Sequence, residues 1–251
     1  MATVVATDEA PGVRRLTLDK PPANAIDERL LADLRTALDE AAGDDAVRAV
    51  VLTGRGAFFS GGFDFSAPRR DDTVAHEIYE LYRDAHLALL TLPKPTIAMI
   101  NGHCIAGGVV LALACDHRIA AAGGHRVGLN EVAVGASFPR AAFEIVRLRL
   151  THAQAAEMIL GAGLYAVDDA VRLGVATEIV LAGELAARVE ERATALAAAP
   201  REAYAHAKAC FVSAAAARIR AETAEEALAT MSVWITDESR AARARQRARL
   251  G

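Results

Sequence analysis

Short, mainly apolar runs recur along the first two-thirds of the chain, each bounded by glycine, proline or charge and each succeeded by a stretch of helical periodicity. Residues 47–53 are the clearest case, and residues 96–101 repeat the pattern. A run of this length with no polar alternation is the mark of a strand buried on both faces. Such a strand needs other elements packed above and below it, which confines the fold to layered α/β arrangements.

The segments between these runs fit that requirement. Residues 13–18 alternate as a strand, and Lys20-Pro21-Pro22-Ala23-Asn24 is a stiff turn, because two prolines fix φ and remove donors. Asp27 is placed to cap a helix whose buried face is Leu30, Leu31, Leu34, Ala37, Leu38 and Ala41, ending at Gly43-Asp44-Asp45. A Gly-rich loop over 54–62, a helix over 74–90, a buried helix over 107–114 and short strands at 118–121 and 127–129 come next. From Pro139 onward the chain reads as Ala-rich helix, with a strand at 176–181. The expectation is an α/β core over residues 1–190 and a helical C-terminal region over 191–251.

Charge narrows the function classes. Lys plus Arg number 28 and Asp plus Glu 32, so the chain carries a net charge of −4, which argues against nucleic acid as its main partner. No apolar run reaches membrane-spanning length, and residues 1–11 lack the order of a signal peptide, so a soluble cytoplasmic protein is expected. Cys104, Cys115 and Cys210 are odd in number and, like the seven histidines, lack ligand spacing. Neither a disulfide framework nor a metal site is expected.

Three segments carry chemistry. The first is Phe58-Phe59-Ser60-Gly61-Gly62-Phe63-Asp64-Phe65, where glycines let backbone N–H groups approach a ligand. The second is Ile100-Asn101-Gly102-His103-Cys104-Ile105-Ala106-Gly107-Gly108, in which tiny residues open an apolar helix. Its N-terminal donors suit a developing oxyanion, and the same string equally suits close helix packing. The third is Gly128-Leu129-Asn130-Glu131, a carboxylate in an apolar stretch where desolvation would raise its pKa and fit it for acid–base work.

In this order, and with Pro22-Ala23-Asn24-Ala25, Lys94-Pro95 and Ala114-Cys115-Asp116-His117-Arg118 as further landmarks, the segments resemble the crotonase (enoyl-CoA hydratase/isomerase) family. The resemblance covers about residues 10–182. It implies a spiral of ββα units with a helical C-terminal region, assembled as a trimer or paired trimer, and an acyl-CoA substrate. Coenzyme A would be part of that substrate, with no separate cofactor. The backbone N–H groups of Phe63 and Gly107 would hold the thioester oxygen. Gly61, Gly62, Asp64 and Phe65 would line the acyl-CoA path, and Ala23 would flank the CoA portion.

Family hydratases use two carboxylates. The position of one is here Val110; the other is Glu131. A single carboxylate is the pattern of the 3-enoyl-CoA to 2-enoyl-CoA isomerases, which share the Gly-Leu-Asn-Glu string. Glu131 would then shuttle one proton, and Asn130 would bind substrate or orient Glu131. Hydration, or a non-catalytic acyl-CoA-binding subunit, are the alternatives. Glu144 would supply a second carboxylate only if its helix faced the cavity. His103 and Asp64 are expected to be structural. The Arg-rich end, Arg240 to Arg249, is read as a solvated face or as a contact for CoA phosphates.

Overall fold

The structure is a computed structural model that describes residues 2–64 and 72–250, with side chains left aside at residues 72–76 and 246–250. The opening hairpin pairs β1 (Val4–Ala10) with β2 (Val13–Leu18). Helix α1 (Glu28–Gly43) comes next, with Asp27 as N-cap, its side chain accepting from the Leu30 N–H at 2.8 Å. The six apolar positions expected on its inner face are all buried.

The chain then winds in turns of two strands and a helix. The first turn is β3 (Ala49–Gly54), β4 (Phe58–Ser60) and α2 (Asp72–Thr91). The second is β5 (Thr96–Ile100), β6 (His103–Ile105) and α3 (Gly107–Ala114). The third is β7 (His117–Ala121), β8 (Arg126–Gly128), a 3-10 turn at Val132–Val134 and α4 (Arg140–Arg149). Helix α5 (His152–Gly161), β9 (Tyr165–Ala166) and β10 (Glu178–Val180) lead into the C-terminal helices. These are α6 (Leu185–Ala197), α7 (Arg201–Arg220), α8 (Ala224–Trp234) and α9 (Asp237–Leu250).

Each turn gives one strand to each of two sheets. The larger sheet has the order β1-β2-β3-β5-β7-β10 and is parallel from β2 onward. The smaller has the order β4-β6-β8-β9, with β4, β6 and β8 parallel. This is the crotonase fold, α/β with a helical C-terminal region. Apolar alternation explains the double burial of the larger sheet. Val50 and Leu52 of β3 face the main core with α1, α2 and α3, whereas Ala49 and Val51 face a second cluster closed by Leu185, Val189 and Ala193 of α6.

Four strands were not legible in the sequence. The Gly-rich loop contains β4, of three residues; β6 has three and β9 two, too few for alternation to register. β1 begins apolar and then turns polar and exposed, so it carries no buried-strand pattern.

A buried ion cluster ties the C-terminal helices to the spiral. Lys208 of α7, only 6% exposed, donates to Asp116 at 2.7 Å and to the Lys94 carbonyl at 3.1 Å. Asp116 also accepts from the Thr96 N–H and the Tyr204 hydroxyl, both at 3.0 Å. Lys208→Met removes one charge of a buried pair. It is expected to lower unfolding free energy by about 3 kcal/mol or more, read from the denaturant midpoint.

Candidate active site

Parallel strands end at the same edge, so the segments after β4, β6 and β8 lie side by side. These are Gly61-Gly62-Phe63, Ala106-Gly107 and Leu129-Asn130-Glu131: the three stretches marked in the sequence, brought to one place by the small sheet. Ligands of α/β sheets bind at such carboxyl edges for this reason.

The first segment is pinned to residues 23–26. The Gly61 N–H donates to the Ala23 carbonyl at 2.8 Å, the Ile26 N–H to the Gly62 carbonyl at 2.8 Å, and the Asp64 N–H to the Ile26 carbonyl at 2.9 Å. Together the last two form a parallel bridge between Ile26 and Phe63. In a parallel bridge the flanked residue turns its own N–H away from the partner segment. On that other side lies Gly107: a Cβ placed on Gly62 would stand 3.1 Å from the Gly107 N and 2.6 Å from the Ala106 Cβ. The backbone is bent to achieve this approach, with φ +83° at Gly62 and φ +52° at the non-glycine Ala106. Gly107 is the first residue of α3, and an N-terminal amide of a helix has no acceptor within its own helix.

Close packing explains the neighbouring glycine. A Cβ on Gly108 would meet the Ser60 carbonyl oxygen at 2.4 Å. The tiny string therefore serves packing at Gly108 and backbone presentation at Gly107.

Glu131 completes the set. It sits at the start of the 3-10 turn, 8% exposed, with its Oε2 buried and without a hydrogen-bond partner among the described residues. Burial pushes its carboxyl up from the ordinary 4.5 to about 8. A cavity of about 330 Å³ is lined by Ala23, Gly61, Phe63, Ala106, Asn130 and Glu131 among others; Gly62 and Gly107 adjoin these residues but are not part of its lining. Among the described lining residues Glu131 is the one carboxylate.

The other residues marked in the sequence take varied places. Asp64 pairs with Lys20 at 2.8 Å and so fastens the loop to the Lys20–Asn24 turn. Phe65 lies outside the described residues. Val110 is fully buried in the main core. Glu144 is also buried rather than solvated, but it is held by Arg218 at 2.6 Å and Arg147 at 3.6 Å and does not line the cavity. His103 packs against Phe58 with ring centroids 4.8 Å apart and the rings tilted by 36°, and its Nδ1 accepts from the Arg126 N–H at 3.0 Å. No cluster able to hold a metal occurs among the described residues.

Three lining residues owe their place to distant helices. Tyr82 of α2 is 1% exposed, its ring between Phe63 at 5.0 Å and His86 at 3.8 Å. Burial and the nearby Glu131 hold its hydroxyl well above the usual phenol range, so it stays a neutral donor. Trp234, at the end of α8, meets Phe63 edge-on at 5.1 Å. Neither had a signal in the sequence. Arg243 of α9, from the Arg-rich end, also lines the cavity and donates to the Gly135 carbonyl at 3.3 Å and to the Trp234 carbonyl. Each depends on where its helix lands, and helical periodicity does not report that.

Comparison with known proteins shows the family and the fold. A family model described as enoyl-CoA hydratase/isomerase matches residues 8–246. The chain belongs to the enoyl-CoA hydratase/isomerase family. It is 36% identical over 174 residues to a putative enoyl-CoA hydratase of Thermus thermophilus, covering 66% of each chain. The apo structure of an enoyl-CoA isomerase of Mycobacterium tuberculosis superposes with a TM-score of 0.82 at 31% identity, over 92% of this chain and 98% of that one. Human mitochondrial delta3-delta2-enoyl-CoA isomerase gives a TM-score of 0.93 at 24% identity, over 99% and 98%, and shows the shared fold. The chain spans 22% of the length of the peroxisomal bifunctional enzymes that it also matches. No helix among the described residues is long and apolar enough to cross a membrane.

Proposed function

We propose that this family member isomerises a 3-enoyl-CoA to a 2-enoyl-CoA. The observation that carries the reading is the lone buried carboxylate of Glu131 in a cavity whose other described walls offer no second acid. Deprotonated Glu131 removes a proton from carbon 2 of the acyl group. The C–H electron pair moves into the thioester carbonyl, and the N–H groups of Phe63 and Gly107 hold the oxyanion. Protonated Glu131 returns the proton at carbon 4, and the double bond comes to rest between carbons 2 and 3. One carboxylate serves both transfers, and no redox or co-reactant is needed.

Hydration is the second reading. The description of the Thermus relative favours it, as does Tyr82, which lines the cavity with Glu131 and carries a hydroxyl of the kind that holds a water. Assay of 3-enoyl-CoA and 2-enoyl-CoA side by side separates the two. Double-bond migration without hydration supports isomerisation; efficient hydration without migration overturns it.

The raised carboxyl gives this reading a pH signature. A base acts only when ionised, so kcat/KM is expected to climb about tenfold per pH unit up to about pH 8 and then level off. A flat profile between pH 6 and 9 would show that the acting group titrates elsewhere.

A further inference from the structure

The cavity's lining is of two kinds. Ala23 and Gly61 are joined backbone to backbone at 2.8 Å. Phe63, Tyr82 and Trp234 form an aromatic wall. If the thioester carbonyl sits at the Phe63 and Gly107 amides, an acyl chain that runs past Glu131 meets those rings.

Trp234 is the piece of that wall with the most bulk, and it is pinned from several directions. Its indole Nε1 donates to the Ser137 carbonyl at 2.9 Å, and its edge meets the Phe63 ring. Its own carbonyl accepts from Arg243, whose guanidinium also holds the Gly135 carbonyl. Behind Gly135, at φ +69°, a Cβ would stand 2.5 Å from the Ser239 Cα of α9, so helix and turn are in close backbone contact. The indole cannot swing aside without breaking a partly buried hydrogen bond and an aromatic contact. The volume of about 330 Å³ is at the small end of the roughly 300–1,000 Å³ common for ligand cavities.

We propose that Trp234 sets the upper limit of acyl length at this site, and that the site takes short- and medium-chain unsaturated acyl thioesters in preference to long-chain ones. The inference rests on the acyl-CoA reading of the cavity but not on isomerisation as the reaction. The C-terminal helices thus act as a measuring wall as well as a cover for the core.

Binding of saturated four-, ten- and sixteen-carbon acyl-CoA, measured by calorimetry, tests it without turnover. Wild-type protein should bind the sixteen-carbon thioester at least about tenfold more weakly than the ten-carbon one, the scale on which hydrophobic pockets discriminate. Trp234→Ala should close that gap by gaining affinity for the longest chain, and Trp234→Phe should fall between. Each ratio is internal to one protein, so partial loss of folded material does not disturb it. If Trp234→Ala does not fold, Trp234→Phe and Trp234→Leu carry the comparison. An unchanged ratio in the variants, or a wild-type preference for sixteen carbons, overturns the proposal. Binding with the expected ratios but no double-bond migration would instead overturn the isomerase reading alone, while failure of folded wild type to bind any of the three removes both.

Discussion

Glu131→Gln is expected to lower kcat for double-bond migration by about 10²–10⁴-fold, the usual contribution of a positioned general base. The same change is expected to make the protein more stable at neutral pH. The side chain is nearly isosteric, so the cavity keeps its shape, but the ionisable group is gone. In the folded protein the Glu131 carboxyl titrates near 8, against an ordinary 4.5. Folding therefore favours its protonated form. Below pH 4.5 both states hold the proton and Glu131 costs nothing; as pH rises toward 8 the unfolded chain ionises first and stability is lost. At pH 7 this is worth about 3 kcal/mol, and it levels off above pH 8. Glu131→Gln should recover that amount, an increase in Tm on the order of 10 °C at pH 7 that shrinks to little at pH 4.5. Kinetics and thermal melts on the same samples check both arms. A variant that is inactive and also less stable at every pH would mean that Glu131 is held by a partner rather than stored in an apolar cavity.

The second large effect is expected from a residue that takes no part in proton transfer. Gly62→Ala puts a methyl 2.6 Å from the Ala106 Cβ and 3.1 Å from the Gly107 N, at a φ of +83° that alanine resists. Relief requires the Phe63 and Gly107 segments to part, and those segments carry the two amides proposed to hold the thioester oxygen. Loss of one oxyanion donor costs about 10²–10³ in kcat, so a fall of that size is expected, with a smaller change in acyl-CoA affinity. The split between kcat and affinity matters: a merely destabilised protein would lose active fraction and leave kcat per folded site unaltered. Calorimetric binding alongside single-turnover rates measures the two separately.

Both variants act on positions that stand out in the amino-acid string, and this reflects how the fold uses it. Residues 47–53 read as a doubly buried strand because both faces of β3 are apolar, and Leu30 to Ala41 read as one helix face because α1 packs one stripe inward. These patterns are local, set by the periods of strand and helix. β4 and β6 escaped because three residues are too few to show a period. The burial of Glu144 was not legible, since nothing nearby in sequence announces Arg218, seventy-four positions away.

The family resemblance, and not spacing, marked Val110 as a position where hydratases hold a carboxylate, whereas the amino-acid order alone was enough to name the layered α/β core and the three candidate segments. These come from side-chain type and short-range spacing, which a linear string records in full. Tertiary structure alone decided that the Gly62, Gly107 and Glu131 segments share one edge, that burial lifts the Glu131 carboxyl, and that Tyr82 and Trp234 wall the cavity. Those facts depend on parallel strand pairing and on the docking of helices many residues away. Desolvation and close approach are properties of the assembled neighbourhood, and they do not exist until the chain has folded.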